Sequence, residues 1–122
     1  MGKGISNTSR TLKYFKDQGL DCDIVERWIP IPSHPGGGKR RDLFGIIDIL
    51  VLEDNGVIGV QSCGASFSEH NKKILESPMS LRWLECGNKL MLIGWRKILK
   101  TRGGRLKVWS PRIKEYKIDD FK

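Results

Sequence analysis

The chain has 122 residues, 39% of them hydrophobic and including four Trp and four Phe, which suits one packed domain and excludes a disordered chain or two domains. No apolar run approaches the roughly 20 residues of a membrane span, the Met1-Gly2-Lys3-Gly4 start opens no signal peptide, and Cys22, Cys63 and Cys86 are too widely spaced for a Cys-x-x-Cys zinc site and odd in number for a disulfide framework. Twenty-two Lys and Arg against 14 Asp and Glu leave a net +8, an excess that suits a polyanionic partner, nucleic acid above all, about as well as it suits a merely basic soluble protein.

In chain order, residues 6–18 read as a helix. Ser6, Asn7, Thr8 or Ser9 can cap it, Leu12, Phe15 and Tyr14 supply its apolar side, and Gly19 ends it. Arg10, Lys13 and Lys16 recur every three residues as a basic stripe, either a solvated face or a phosphate contact. Residues 21–29 alternate as one strand, with Cys22, Ile24, Glu26 and Trp28 on the same face. Glu26 on that apolar face is a metal ligand or the partner of an arginine. Residues 30–41 (PIPSHPGGGKRR) read as a loop, stiffened by proline, loosened by three glycines and charged at its end by Lys39, Arg40 and Arg41.

The chain is organised around residues 39–63, two apolar strands about a tight turn. Asp48 is an acid in an otherwise apolar strand, costly to bury unless paired, hydrogen-bonded or bound to a metal. Asn55-Gly56 carries the turn signature of a two-residue hairpin loop, which pairs Asp54 with Val57, Leu50 with Gln61 and Asp48 with Cys63. Asp48, Gln61 and Cys63 then share one face, and one cation can bridge the first two. A register shifted by two would set Asp48 directly opposite Gln61 and keep that bridge. Asp42 has the same parity as Asp48, but six residues of extended chain would put it about 20 Å away, so it is expected to pair with an arginine or to end the loop.

Residues 64–68 form a turn into a helix over 68–76 capped by Ser68, and Pro78 opens a short helix ending at Gly87. Met79, Trp83 and Cys86, or Leu81, Trp83 and Leu84, are its core side. Residues 89–97 are a third long apolar strand, 100–104 a basic turn, 105–110 a closing strand, and the tail a short strand or a frayed end. Packing helices on a sheet of this kind gives an α/β fold with a central mixed sheet of about five strands.

The acid in IIDIL, followed by VQSC, resembles the PD-(D/E)XK nuclease superfamily, in particular its small archaeal-type and phage-encoded Holliday junction resolvases. RRDLFGIIDIL, VQSC and GWRK also look like a group of short phage reading frames in which glutamine replaces the second acid. The resemblance covers most of residues 8–97. It implies a single restriction-endonuclease-like domain over 1–122 and a metal-dependent endonuclease in the cytoplasm, the host's if the chain is phage-borne. Asp48, Gln61 and the Ser62 carbonyl would hold Mg²⁺ or Mn²⁺, with Glu26 restoring charge, and no organic cofactor or membrane would be involved. Cys63 stands where the motif has lysine, so Lys72 or Lys73 of the next helix would position the attacking water. Lys39, Arg40, Arg41, Arg96, Lys97, Arg10 and Lys13 would hold DNA, and resolving a four-way junction would require a homodimer. Two other classes compete: a DNA-binding module that has lost cleavage, and an interaction protein that meets a host factor through Trp28 or Trp109.

Overall fold

The computed structural model describes residues 5–122; the start read above for a signal peptide, residues 1–4, lies outside them. The elements run α1 (Asn7–Lys16), β1 (Asp21–Ile24), β2 (Arg27–Pro30), β3 (Gly38–Arg41), β4 (Ile49–Glu53), β5 (Gly56–Cys63), α2 (Phe67–Glu76), α3 (Pro78–Glu85), β6 (Lys89–Leu99) and β7 (Lys107–Tyr116), then a 3-10 helix at Ile118–Phe121. Five strands form a mixed sheet in the order β1-β4-β5-β6-β7, and β2 pairs with β3 as a separate ribbon. Only β5 and β6 run parallel, and α2 and α3 supply the crossover that a parallel pair requires. The fold is α/β, with helices on both faces of the five-stranded sheet. Among the described residues no helix is long and apolar enough to cross a membrane.

Alternation along the central strands divides the core. Ile49, Val51, Ile58, Val60, Ile93 and Trp95 pack with Phe15 of α1 on one face, while Ile47, Cys63, Leu90 and Leu92 pack with Phe67, Ile74 and Leu84 of α2 and α3 on the other. Two glycines set how closely the second layer approaches: a Cβ at Gly94 would run into the Phe67 ring, and one at Gly59 into Ile47. The helix ends follow local chemistry. Ser6 Oγ accepts from Ser9 N–H to start α1, Ser77 Oγ accepts from Met79 N–H with Pro78 in the first turn of α3, and Gly19 and Gly87 take positive φ where the helices end. Ser66, rather than Ser68, precedes α2, and its hydroxyl turns to His70 Nδ1.

Several expected boundaries are corrected. Residues 21–29 are not one strand: Val25 N–H makes the last rung to the Asp48 carbonyl, and the chain then leaves the main sheet to form β2. The face shared by Cys22, Ile24, Glu26 and Trp28 therefore does not exist. The loop expected over 30–41 shrinks to 31–37, because Pro30 pairs with Gly38 and Lys39, Arg40 and Arg41 form a strand. Gly38 is required there, since a Cβ would meet the Ile29 carbonyl.

The strand expected over 89–97 runs to Leu99, and the closing strand starts at Lys107 and absorbs most of the tail through Tyr116. Pro111 is tolerated because β7 is an edge strand. The 3-10 helix brings Phe121 against Tyr116, so this end is packed. In α3 the buried side chains are Ser80 and Leu84, with Met79 and Trp83 partly covered, whereas Cys86 is exposed because it falls at the helix end past the core stripe.

Candidate metal centre

The β4–β5 register differs by two from the hairpin reading. Glu53 pairs with Gly56 and Leu50 with Gly59, which leaves Asp54 and Asn55 as the loop. Asn55-Gly56 does not form the type I′ turn expected of it: that turn needs positive φ at both central residues, and here only Gly56 has it. Ile49 faces Val60, so Asp48, just before β4, comes directly opposite Gln61. Asp48 N–H donates to the Val60 carbonyl, Gln61 Nε2 donates to Asp48 Oδ2 at 3.1 Å, and Ser62 N–H reaches both carboxylate oxygens at 3.2 Å.

Asp42 is the residue whose place the sequence hid. Phe44 and Gly45 both take positive φ, 56° and 74°, the pattern of a type I′ turn, and Leu43 bridges Ile47 across it. The chain doubles back where extended backbone was expected, and Asp42 lands opposite Asp48, not 20 Å away. Phe44 is the one described non-glycine residue with positive φ, a conformation costing roughly 1–2 kcal/mol. Glu26 arrives from the turn between β1 and β2. Oxygens of Glu26, Asp42 and Asp48 all lie within 4.8 Å of one another.

This cluster is under electrostatic strain. Asp48 is 4% exposed, and burial, followed by the nearby Asp42 and Glu26 charges, pushes its carboxyl up to about 7 against the restraining hydrogen bond from Ser62. Glu26 has Arg40 at 3.1 Å and Asp42 has Lys73 at 3.7 Å, but both cations are substantially exposed. Asp48 has no ion pair among the described residues, so an arginine such as Arg96 does not satisfy it.

Gln61 is equally buried, and its Oε1 is the one buried side-chain oxygen among the described residues without a hydrogen-bond partner. Turned over, the amide would aim Oε1 at Asp48, and only a proton or a cation between the two oxygens makes that favourable.

The other nominated residues divide clearly. Lys73 belongs to the site, whereas Lys72 points to solvent and reaches Glu76 at 4.0 Å, because adjacent helix positions face different ways. Ser62 presents its N–H to Asp48 and turns its side chain to the opposite face. There Thr11 Oγ1 donates to the Asn7 carbonyl, so Ser62 Oγ donates to Thr11 at 2.8 Å, as Trp95 Nε1 does at 2.9 Å. This network fixes β5 against α1 directly behind the carboxylates. Cys63 is buried, and desolvation, with Asp48 adding to it, pushes its thiol up to about 11 despite Arg112, so it is neutral near pH 7. Arg112 sits across Gly94 from Cys63 and stacks on Phe67 at 4.1 Å. Sequence reading missed Arg112 because the tail looked frayed.

Lys39, Arg40, Arg41 and Lys73 line an open cleft of about 320 Å³ together with Asp42. Arg10 and Lys97 lie elsewhere, against Trp109 at 3.6 and 5.2 Å from the ring centroid, and Lys13 is held by Asp17. Arg96 is exposed beside Arg112. Comparison of the chain with protein-family models, with curated proteins and with solved structures finds no match.

Proposed function

We propose that the chain is a metal-dependent endonuclease of the PD-(D/E)XK type that hydrolyses phosphodiester bonds in DNA, with branched DNA its foremost substrate and a homodimer its working form. One observation carries the reading: oxygens of three carboxylates converge within 4.8 Å of one another, and the buried amide that donates to one of them, Gln61, has no partner for its own oxygen. The position of Asp48 opposite Gln61 at one end of a mixed sheet supports the restriction-endonuclease-like assignment, although the third acid, Asp42, comes from outside the motif.

The donor set suits a hard divalent cation: carboxylate oxygens of Asp48, Asp42 and Glu26, the Gln61 amide oxygen and the Ser62 carbonyl. Mg²⁺ or Mn²⁺ would supply an acidified water and neutralise the scissile phosphate. The protein's own groups do the rest. Lys73, tethered by Asp42, is the lysine at the carboxylates and can orient a water or steady a phosphate oxygen. Lys39, Arg40 and Arg41 hold the backbone along the cleft. Ser62, pinned by Thr11, keeps its N–H on Asp48 and fixes the carboxylate's orientation.

Cys63 favours a second reading, a nuclease-fold DNA-binding protein without cleavage, because a buried neutral thiol cannot replace the motif lysine. End-labelled four-way junction, linear duplex and single strand, incubated with Mg²⁺, Mn²⁺ or EDTA, separate the two. Metal-dependent cuts that disappear in Asp48→Asn and Asp42→Asn, with DNA binding retained, are expected. Salt-sensitive binding without cuts in either metal would favour the second reading, and no binding would leave an interaction protein.

A further inference from the structure

We propose that the outer part of the β6–β7 hairpin is an arm that grips duplex DNA by lying in its major groove. This rests on the DNA-binding half of the reading above and adds a partner surface that the site does not require. Residues 96–112 contain seven Lys and Arg and no Asp or Glu, while the other 105 residues carry 15 Lys and Arg against 14 Asp and Glu. Almost the whole net charge of the protein is therefore concentrated in this hairpin. None of the seven cations has an ion-pair partner among the described residues. A face built only for solubility would mix both signs.

The shape agrees with the charge. β5 ends at Cys63, paired with Gly94, but β6 runs on to Leu99 with an unbroken antiparallel ladder to Lys107. Five further residues at about 3.3 Å each carry the ribbon roughly 17 Å past the end of β5, before the turn is counted. The ribbon has no sheet neighbour there, and Leu99 and Leu106 are exposed beside the basic side chains. The major groove admits a two-stranded ribbon, and the minor groove is about half as wide. At its root, Trp109 is clamped by Arg10 of α1, which fixes the arm to the body. The arm leaves the sheet at the same end as Asp48 and Gln61, so a duplex held by it runs past the acidic cluster.

The test is the variant Lys100→Gln/Arg102→Gln/Arg105→Gln/Lys107→Gln, whose four changes are all at exposed positions. Fluorescence anisotropy with a labelled duplex is recorded from 50 to 300 mM salt. Each lost phosphate contact flattens the log–log salt slope by about 0.9, so the variant should lose about 3.6 in slope and roughly 10³-fold in affinity at 100 mM salt. Dimethyl sulfate footprinting should show guanine N7, in the major groove, protected by the unmodified protein and released in the variant. An unchanged slope, or protection confined to adenine N3 in the minor groove, overturns the proposal. So does loss of binding to anionic vesicles with duplex affinity intact. If metal-dependent cleavage persists while the slope is unchanged, only the arm assignment fails; if the unmodified protein binds neither duplex nor four-way junction, the nuclease reading fails with it.

Discussion

Asp48→Asn should make the metal-free protein more stable at pH 8, although it removes the residue on which the proposed chemistry depends. Burial and neighbouring carboxylates raise the Asp48 carboxyl from 3.8 to about 7, roughly three pH units. At about 1.4 kcal/mol per unit, ionising it in the folded state costs up to ~4 kcal/mol relative to the unfolded chain. For a carboxyl raised on folding this cost is absent below pH 4, grows between pH 4 and 7, and is complete above 7. Asparagine keeps the shape, its Oδ1 still accepts from Ser62 N–H, and once the Gln61 amide turns over its Nδ2 donates to the formerly orphaned Gln61 Oε1. The expected gain is therefore about 2–4 kcal/mol at pH 8, shrinking towards zero by pH 4. Urea unfolding followed by tryptophan fluorescence in EDTA, repeated from pH 4.5 to 8.5, measures it. With Mg²⁺ or Mn²⁺ at 100 times its dissociation constant the unmodified protein should recover about 2.7 kcal/mol and the variant far less. A variant less stable at pH 8, or a stability difference that does not change with pH, would refute the argument. Equal stabilisation of both proteins by the cation would place its binding elsewhere.

Three further outcomes follow from the same geometry. Gln61→Glu adds a buried carboxylate beside Asp48, so isothermal titration should show tighter Mn²⁺ binding while metal-free stability at pH 8 falls by about 1–3 kcal/mol. Lys73→Gln removes the cation on Asp42 and should slow cleavage by about 10²–10⁴-fold with duplex affinity little changed, whereas Lys72→Gln should leave the rate alone; equal losses in single-turnover assays would contradict the helix orientation. Gly94→Ala drives a methyl group into the Phe67 ring and should cost about 1–3 kcal/mol in urea unfolding, and a neutral result would mean that α2 yields more readily than its packing suggests.

Much of the scaffold was legible in the sequence because it depends on neighbouring residues. Ser6, Gly19, Pro78 and Gly87 mark helix ends through backbone chemistry that acts within a turn, and strict alternation over β4 and β5 put Asp48 and Gln61 on one face. The conflict at Asp48 was equally visible, since an acid amid Ile46, Ile47, Ile49 and Val51 is anomalous wherever the chain goes. The third acid was not. Its arrival depends on a tight turn at Phe44-Gly45 in which phenylalanine takes positive φ, a conformation that composition argues against and that the surrounding Leu43–Ile47 bridge enforces. The true hairpin register was likewise out of reach, because the Asn-Gly signal at Asn55-Gly56 favoured the wrong alternative and the strand pairing itself set Asp54-Asn55 as the loop. The basic arm illustrates the same division: its charges are plain in the sequence, but their lack of an ion pair among the described residues accompanies a ladder of β6 and β7 that runs far beyond the end of β5. Periodicity and capping are fixed by residues a few positions apart, whereas an acidic cluster and a projecting ribbon are made by pairings between segments that only the tertiary fold brings together.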